Sequence, residues 1–199
     1  MHYLLIDQSP RMVEAWRAAF DGQPNVEVQQ GDLTRVSCDA IVSPANSFGF
    51  MDGGVDYAIS ERLGWGLQDE LQRQIWALPE GELLVGRALV LETGDAQIPY
   101  LISAPTMRVP TNFNIPTSIN AYLAMKAVLI QARAHERIAT VAVPGMCTGV
   151  GRMQPEIAAR QMLAAYCEIE LGQRLSFQNF GDAQRYHWQL NPQGMIYTH

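Results

Sequence analysis

Apolar and polar positions along the chain switch between a short period typical of strands and a longer one typical of helices. Residues 3–6 are an apolar run, and Ser9-Pro10 then supplies an N-cap and a first-turn proline for a helix reaching about residue 20, where Asp21-Gly22 ends it. Val26 and Val28 alternate with polar neighbours and residues 39–42 are an apolar, β-branched run, which predicts two further strands. Helical spacing returns at 55–63 and again through Leu67, Leu71, Ile75 and Leu78, until Pro79 stops it. Strands are predicted at 87–92 and 98–104 around the turn Thr93-Gly94-Asp95, and a long helix at 117–134. A buried strand at 139–143 and a helix at 155–171, ended by Gly172, come next. A last strand is expected at 175–180.

Buried strands alternating with amphipathic helices predict an α/β fold: a three-layer α/β/α sandwich around a mixed, largely parallel sheet. No repeat, linker or low-complexity tract divides the 199 residues, so one domain spanning 1–199 is expected. In such folds ligands sit beyond the carboxyl ends of the strands. The loops after Val42 and Val143 hold that position.

Charge narrows the chemistry. The chain carries 14 Lys+Arg against 20 Asp+Glu, a net charge of -6, which disfavours general nucleic-acid binding. Lys126 is its one lysine, which excludes a phosphate loop ending in Lys and argues against Schiff-base chemistry. A phosphate would have to be held mainly by backbone amides. Cys38, Cys147 and Cys167 have no paired spacing and read as reduced thiols; with no long apolar span or leader-like start, a cytoplasmic protein is expected. The histidines at 2, 135, 187 and 199 share no ligand spacing, so neither metal nor cofactor is expected.

Gly53-Gly54-Val55-Asp56 opens a predicted helix, where glycines let a ligand approach free N–H groups. The segment Pro144-Gly145-Met146-Cys147-Thr148-Gly149-Val150-Gly151-Arg152 stands in the same relation to the next strand and helix, and three glycines there can form an anion nest. Taken with Gly31-Asp32-Leu33-Thr34 and with Asp39-Ala40-Ile41-Val42-Ser43-Pro44-Ala45-Asn46-Ser47, the chain resembles the macro domain family of ADP-ribose-binding and ADP-ribosyl-hydrolysing proteins. The resemblance covers most of residues 25–180 and includes Ala158-Ala159 downstream.

That resemblance implies a ligand-binding role for Asp32 and Leu33 at adenine, for Asn46 at the distal ribose, and for Gly53, Gly54 and Val55 at the phosphates. It implies the same for Thr148, Gly149, Val150 and Gly151 at the diphosphate, and for Phe180, with Phe177 as competitor, stacked on adenine. Asp56 and Asn46 would be the catalytic residues, Asp56 activating water and Asn46 orienting the ribose. The activity implied is hydrolysis of a mono-ADP-ribosyl ester on protein or a related substrate, with ADP-ribose or an ADP-ribosylated protein as partner; a non-catalytic reader and an O-acetyl-ADP-ribose deacetylase are the alternatives. The chain departs from the family pattern at Ser43 (usually Asn), Pro44 (usually Ala), Asp52 (usually Gly) and Cys147 (usually Ser), and no aromatic separates Val150 from Gly151. A carboxylate at 52 repels a diphosphate unless it points away or binds a cation.

Trp65 and Trp76 are expected to be core or packing residues rather than a stacking box, and Cys147 to be a small buried apolar residue. Arg152 is expected to be exposed, and the 185–188 segment to cover a sheet edge.

Overall fold

A computed structural model describes residues 1–194. Its strands are β1 (His2–Asp7), β2 (Val26–Gln30), β3 (Ala40–Ser43), β4 (Leu89–Glu92), β5 (Tyr100–Ser103) and β6 (Thr140–Val143). Its helices are α1 (Pro10–Ala19), α2 (Gly54–Leu63), α3 (Gly66–Trp76), α4 (Asn120–Ala134), α5 (Pro155–Ile169) and α6 (Phe180–Leu190), with a 3-10 turn at Leu33–Arg35. The strands make one sheet in the order β2-β1-β6-β3-β5-β4, parallel except for β4, which runs antiparallel to β5 at the edge. This is the mixed, largely parallel arrangement that the alternation of elements predicts.

Two apolar layers follow from the two-residue period of the strands. Tyr3, Leu5, Ala40, Val42, Ile102, Val141 and Val143 face one side, where Met12 and Trp16 of α1 and the small and aliphatic residues of α4 and α5 cover them. Ile6, Ile41, Leu101 and Ala142 face the other, against Ile59 of α2 and Leu67, Leu71 and Ile75 of α3. Asp39 ties the strand starts together, its Oδ2 accepting hydrogen bonds from the amides of Ala139 (2.9 Å) and Thr140 (2.7 Å).

The C-terminal segment differs from the expected last strand. Residues 173–179 are exposed and irregular, and the sheet ends at β2 and β4 without them. A helix, α6, forms instead, capped by Asn179, whose side chain accepts from the Asp182 amide. Nor does the 185–188 segment cover a sheet edge: it lies in α6 and packs against α5. There Glu168 accepts hydrogen bonds from Tyr122 (2.8 Å), Tyr186 (2.7 Å) and the single lysine, Lys126 (2.6 Å). Trp65 and Trp76 are 41% and 65% exposed rather than in the core, although Trp65 packs edge-on against Tyr57. The helical stripe carries leucine and isoleucine inward, which turns both tryptophans outward.

Candidate functional site: a cleft between two loops

Because β3 and β6 are parallel neighbours, the loops that leave their carboxyl ends emerge side by side. Between them lies a cleft of about 760 Å³, a size suited to a small organic ligand. Its wall is stiffened where the chain beyond β3 keeps pairing with the chain beyond β5: the Thr106 amide donates to Ala45 and the Ser47 amide to Arg108. At the near end of β1, Asp7 accepts a hydrogen bond from the Gly145 amide (3.1 Å) and so fixes the root of the second loop.

The first loop runs into α2. Gly54 has φ +58°, a left-handed conformation that glycine adopts without strain, and it starts the helix so that the amides of Gly54, Val55 and Asp56 have no helical acceptor. In the second loop the amides of Thr148, Gly149, Val150 and Gly151 donate to no other group among the described residues. Cys147 (φ +65°) and Arg152 (φ +53°) bracket that run in left-handed conformations, costly for non-glycine residues and most often found at functional sites. Gly151 is required on different grounds: a Cβ there would stand 2.6 Å from the Cys147 carbonyl oxygen. Two sets of unpaired N–H groups thus line one cleft, the pattern of an anion cradle.

The side chains divide by role. Asp56 is 8% exposed and accepts a hydrogen bond from Ser43 Oγ at 2.6 Å. Burial pushes its carboxyl up to about 7, against the lowering effect of the Ser43 hydroxyl. Asp32 caps the Leu33–Arg35 turn, its Oδ1 accepting from the Thr34 amide (2.9 Å) and hydroxyl (2.8 Å), and these bonds hold it below the usual carboxylate range. Leu33 is buried beside it.

Asn46 serves its own loop. Its Nδ2 donates to the Phe50 carbonyl (2.8 Å) and its Oδ1 accepts from the amides of Phe48 (3.1 Å) and Phe50 (3.3 Å). Asp52 is exposed at the cleft. The Cys147 thiol is buried and pushed up to about 12 by that burial, which leaves it no thiolate for nucleophilic work. Arg152 is exposed on the cleft wall.

Of the residues singled out in the sequence, Asp32, Leu33, Asn46, Gly53, Gly54, Val55, Asp56, Thr148, Gly149, Val150 and Gly151 all line this cleft. Phe180 does not. It is the first residue of α6, 76% exposed, and Phe177 instead packs on Tyr186, because the strand expected to carry them does not form. Among the lining residues that the sequence does not single out are Asp7 at the end of β1, Arg11 in the first turn of α1 and Phe50 of the first loop. The Asp7-x-Ser9-Pro10 cap was a signal for the first two, since a strand end followed at once by a helix start must lie at the sheet's ligand edge. Among the described residues no group of three or more His, Cys, Asp or Glu side chains gathers as a metal site, and no helix is long and apolar enough to cross a membrane.

Fold and cleft together define an α/β protein with a cleft lined by unpaired backbone amides at the carboxyl edge of a mixed sheet. The sequence matches the family described as Macro domain over residues 42–162, and the chain belongs to that family. An uncharacterized protein of Aquifex aeolicus is 36% identical over 146 residues, covering 73% of this chain and 83% of that protein. Rv1899c of Mycobacterium tuberculosis, also uncharacterized, is 32% identical over 88% of this chain, which spans only 46% of that longer protein. Among solved structures, the macrodomain of Mycobacterium tuberculosis DarG superposes with a TM-score of 0.58 at 23% identity, over 70% of this chain and 88% of that one. An Oceanobacillus iheyensis macrodomain with ADP gives 0.56 at 20% identity, over 68% and 72%.

Proposed function

We propose that the cleft binds ADP-ribose and that Asp56 hydrolyses an ADP-ribosyl ester there. The single observation that carries this reading is the pairing of two unsatisfied amide clusters with a buried carboxylate on the same cleft. The diphosphate lies on the amides of Gly54 to Asp56 and Thr148 to Gly151. Adenine reaches the Asp32 end, where Oδ2, 3.4 Å from Arg35 Nε and free of the turn's own hydrogen bonds, accepts from an exocyclic amine. Asn46 has one remaining Nδ2–H for a ribose hydroxyl. Asp56 takes a proton from water while the water oxygen bonds to the anomeric carbon, and the bond from that carbon to the ester oxygen breaks to release a carboxylate. A base that titrates near 7 is well matched to neutral conditions, and such catalysis contributes roughly 10²–10⁴-fold. Solved macrodomains support the ligand class: one from Oceanobacillus iheyensis holds ADP and one from Trypanosoma brucei is in complex with ADP-ribose.

The occupied amide of Asn46 favours a second reading, a module that binds ADP-ribose without turnover. Calorimetric titration with ADP-ribose, run beside release of label from a mono-ADP-ribosylated protein, separates the two. Hydrolysis predicts that Asp56→Ala keeps ADP-ribose affinity within about threefold while turnover falls about 10²-fold or more. Binding by the parent protein with no release of label selects the reader; no binding at all removes both.

A further inference from the structure

Family members usually carry Asn where this chain has Ser43, and the structure gives that serine a specific task. Ser43 is the last residue of β3, fully buried, on the sheet face that α2 covers. Its hydroxyl donates to Asp56 Oδ1 at 2.6 Å, a distance typical of a charge-assisted bond, and this is the carboxylate's one side-chain partner among the described residues. We propose that Ser43 is a positioning residue for Asp56, clamping Oδ1 from the strand so that Oδ2 is the oxygen presented to the cleft. The inference rests on the reading of Asp56 as the group that activates water.

Competing influences on Asp56 are few. The Leu33–Arg35 turn packed on α2 brings Asp32 and Arg35, which pair with each other at 3.4 Å. On α3, Glu70 and Arg73 pair with each other, and Asp69 is the remaining charge; on α2 itself Arg62 pairs with Asp95 and Glu61 accepts from Trp65. Asp52 precedes α2 in the same loop, and Cys147 and Arg152 line the cleft. None of these groups shifts the carboxyl; burial and the Ser43 hydroxyl are the two causes at work.

A nearby residue supplies an internal control. Ser103 sits directly across the parallel register from Ser43, equally buried on the same face, yet its hydroxyl has no hydrogen-bond partner. Removing it should alter packing at the strand ends without touching the carboxylate.

The test is titration of the Asp56 carboxyl carbon by NMR in the unliganded protein, with turnover of a mono-ADP-ribosylated protein followed over the same pH range. Ser43→Ala is expected to move the titration upward by about one pH unit, since a hydrogen bond to an ionised group is lost. Ser43→Thr, which keeps the hydroxyl, and Ser103→Ala should both stay at the parent midpoint. Overlap of the Ser43→Ala curve with the parent overturns the proposal, as does an equal displacement in Ser103→Ala. If the titration moves but the rate profile does not follow it, Ser43 holds its assigned role and Asp56 is not the base, so the two ideas fail separately.

Discussion

Ionising Asp56 runs against the preference of its surroundings, and this has a consequence for stability. An aspartate titrates near 3.8 in the unfolded chain but at about 7 here, so the folded state holds its proton more tightly. The contribution of that tighter binding is complete below about pH 4 and fades as pH rises through 7. Asp56→Asn removes the penalty, and its hydroxyl partner Ser43 can still donate to the amide oxygen. The variant should therefore melt near the parent at about pH 4 and be increasingly more stable toward pH 8, by up to about 4 kcal/mol, in thermal unfolding followed by circular dichroism. Equal stability of the two proteins at pH 8 would mean that the carboxylate is better solvated than its burial implies. In the proposed reaction activity carries the opposite sign: turnover needs the ionised form and is expected to rise through neutral pH, so a site using Asp56 as its base gives up stability to do so.

The loop after β6 depends on contacts that leave no room for side chains. A methyl group at Gly151 would meet the Cys147 carbonyl oxygen and Ile115 Cγ2, both at 2.6 Å, whereas one at Gly149 would meet nothing within 4 Å. Gly151→Ala is expected to cost about 1–3 kcal/mol in unfolding free energy and, by displacing the amides of the cradle, to weaken ADP-ribose binding about tenfold or more. Gly149→Ala should leave the melting temperature unchanged. Its backbone φ is not left-handed and its surroundings are open, so it tests the same loop without the clash. Calorimetry on both variants reads stability and affinity together.

Across the whole molecule, charge opposes an anionic ligand. The net charge is -6, and four aspartates but only two arginines, Arg11 and Arg152, line the cleft. A diphosphate held by lysines and arginines loses affinity as salt rises; one held by neutral amides in a negatively charged protein does not. ADP-ribose affinity is accordingly expected to stay flat or to strengthen by up to about threefold between 20 and 200 mM salt. A steep loss over that range would point to the two arginines as the main anchors. The one lysine is committed elsewhere, to Glu168 between α4 and α5.

Much of this architecture was legible along the chain because burial imposes a period. The apolar runs of β3 and β6, the stripe through Leu67, Leu71 and Ile75, and the proline-started α1 and α5 are local patterns with local causes. The glycines of both loops were legible too, since only a backbone that must approach a ligand or bend sharply uses them in that density after a strand. The segment at 175–180 was not, because alternation of Leu175 and Phe177 yields a strand only where the tertiary fold lays the segment alongside a sheet edge. That Asn46 also holds its own loop was not legible, because its bonds to Phe48 and Phe50 arise from a loop geometry that residue identity does not specify. Residue order alone determined the layers, the strand and helix periods and the two glycine-rich bends, all of which follow from short-range sterics and from apolar faces seeking cover. Only the tertiary structure decided that the bends meet across one cleft, that α6 replaces a strand, and that Ser43 reaches Asp56, because each depends on which strands become neighbours in the sheet.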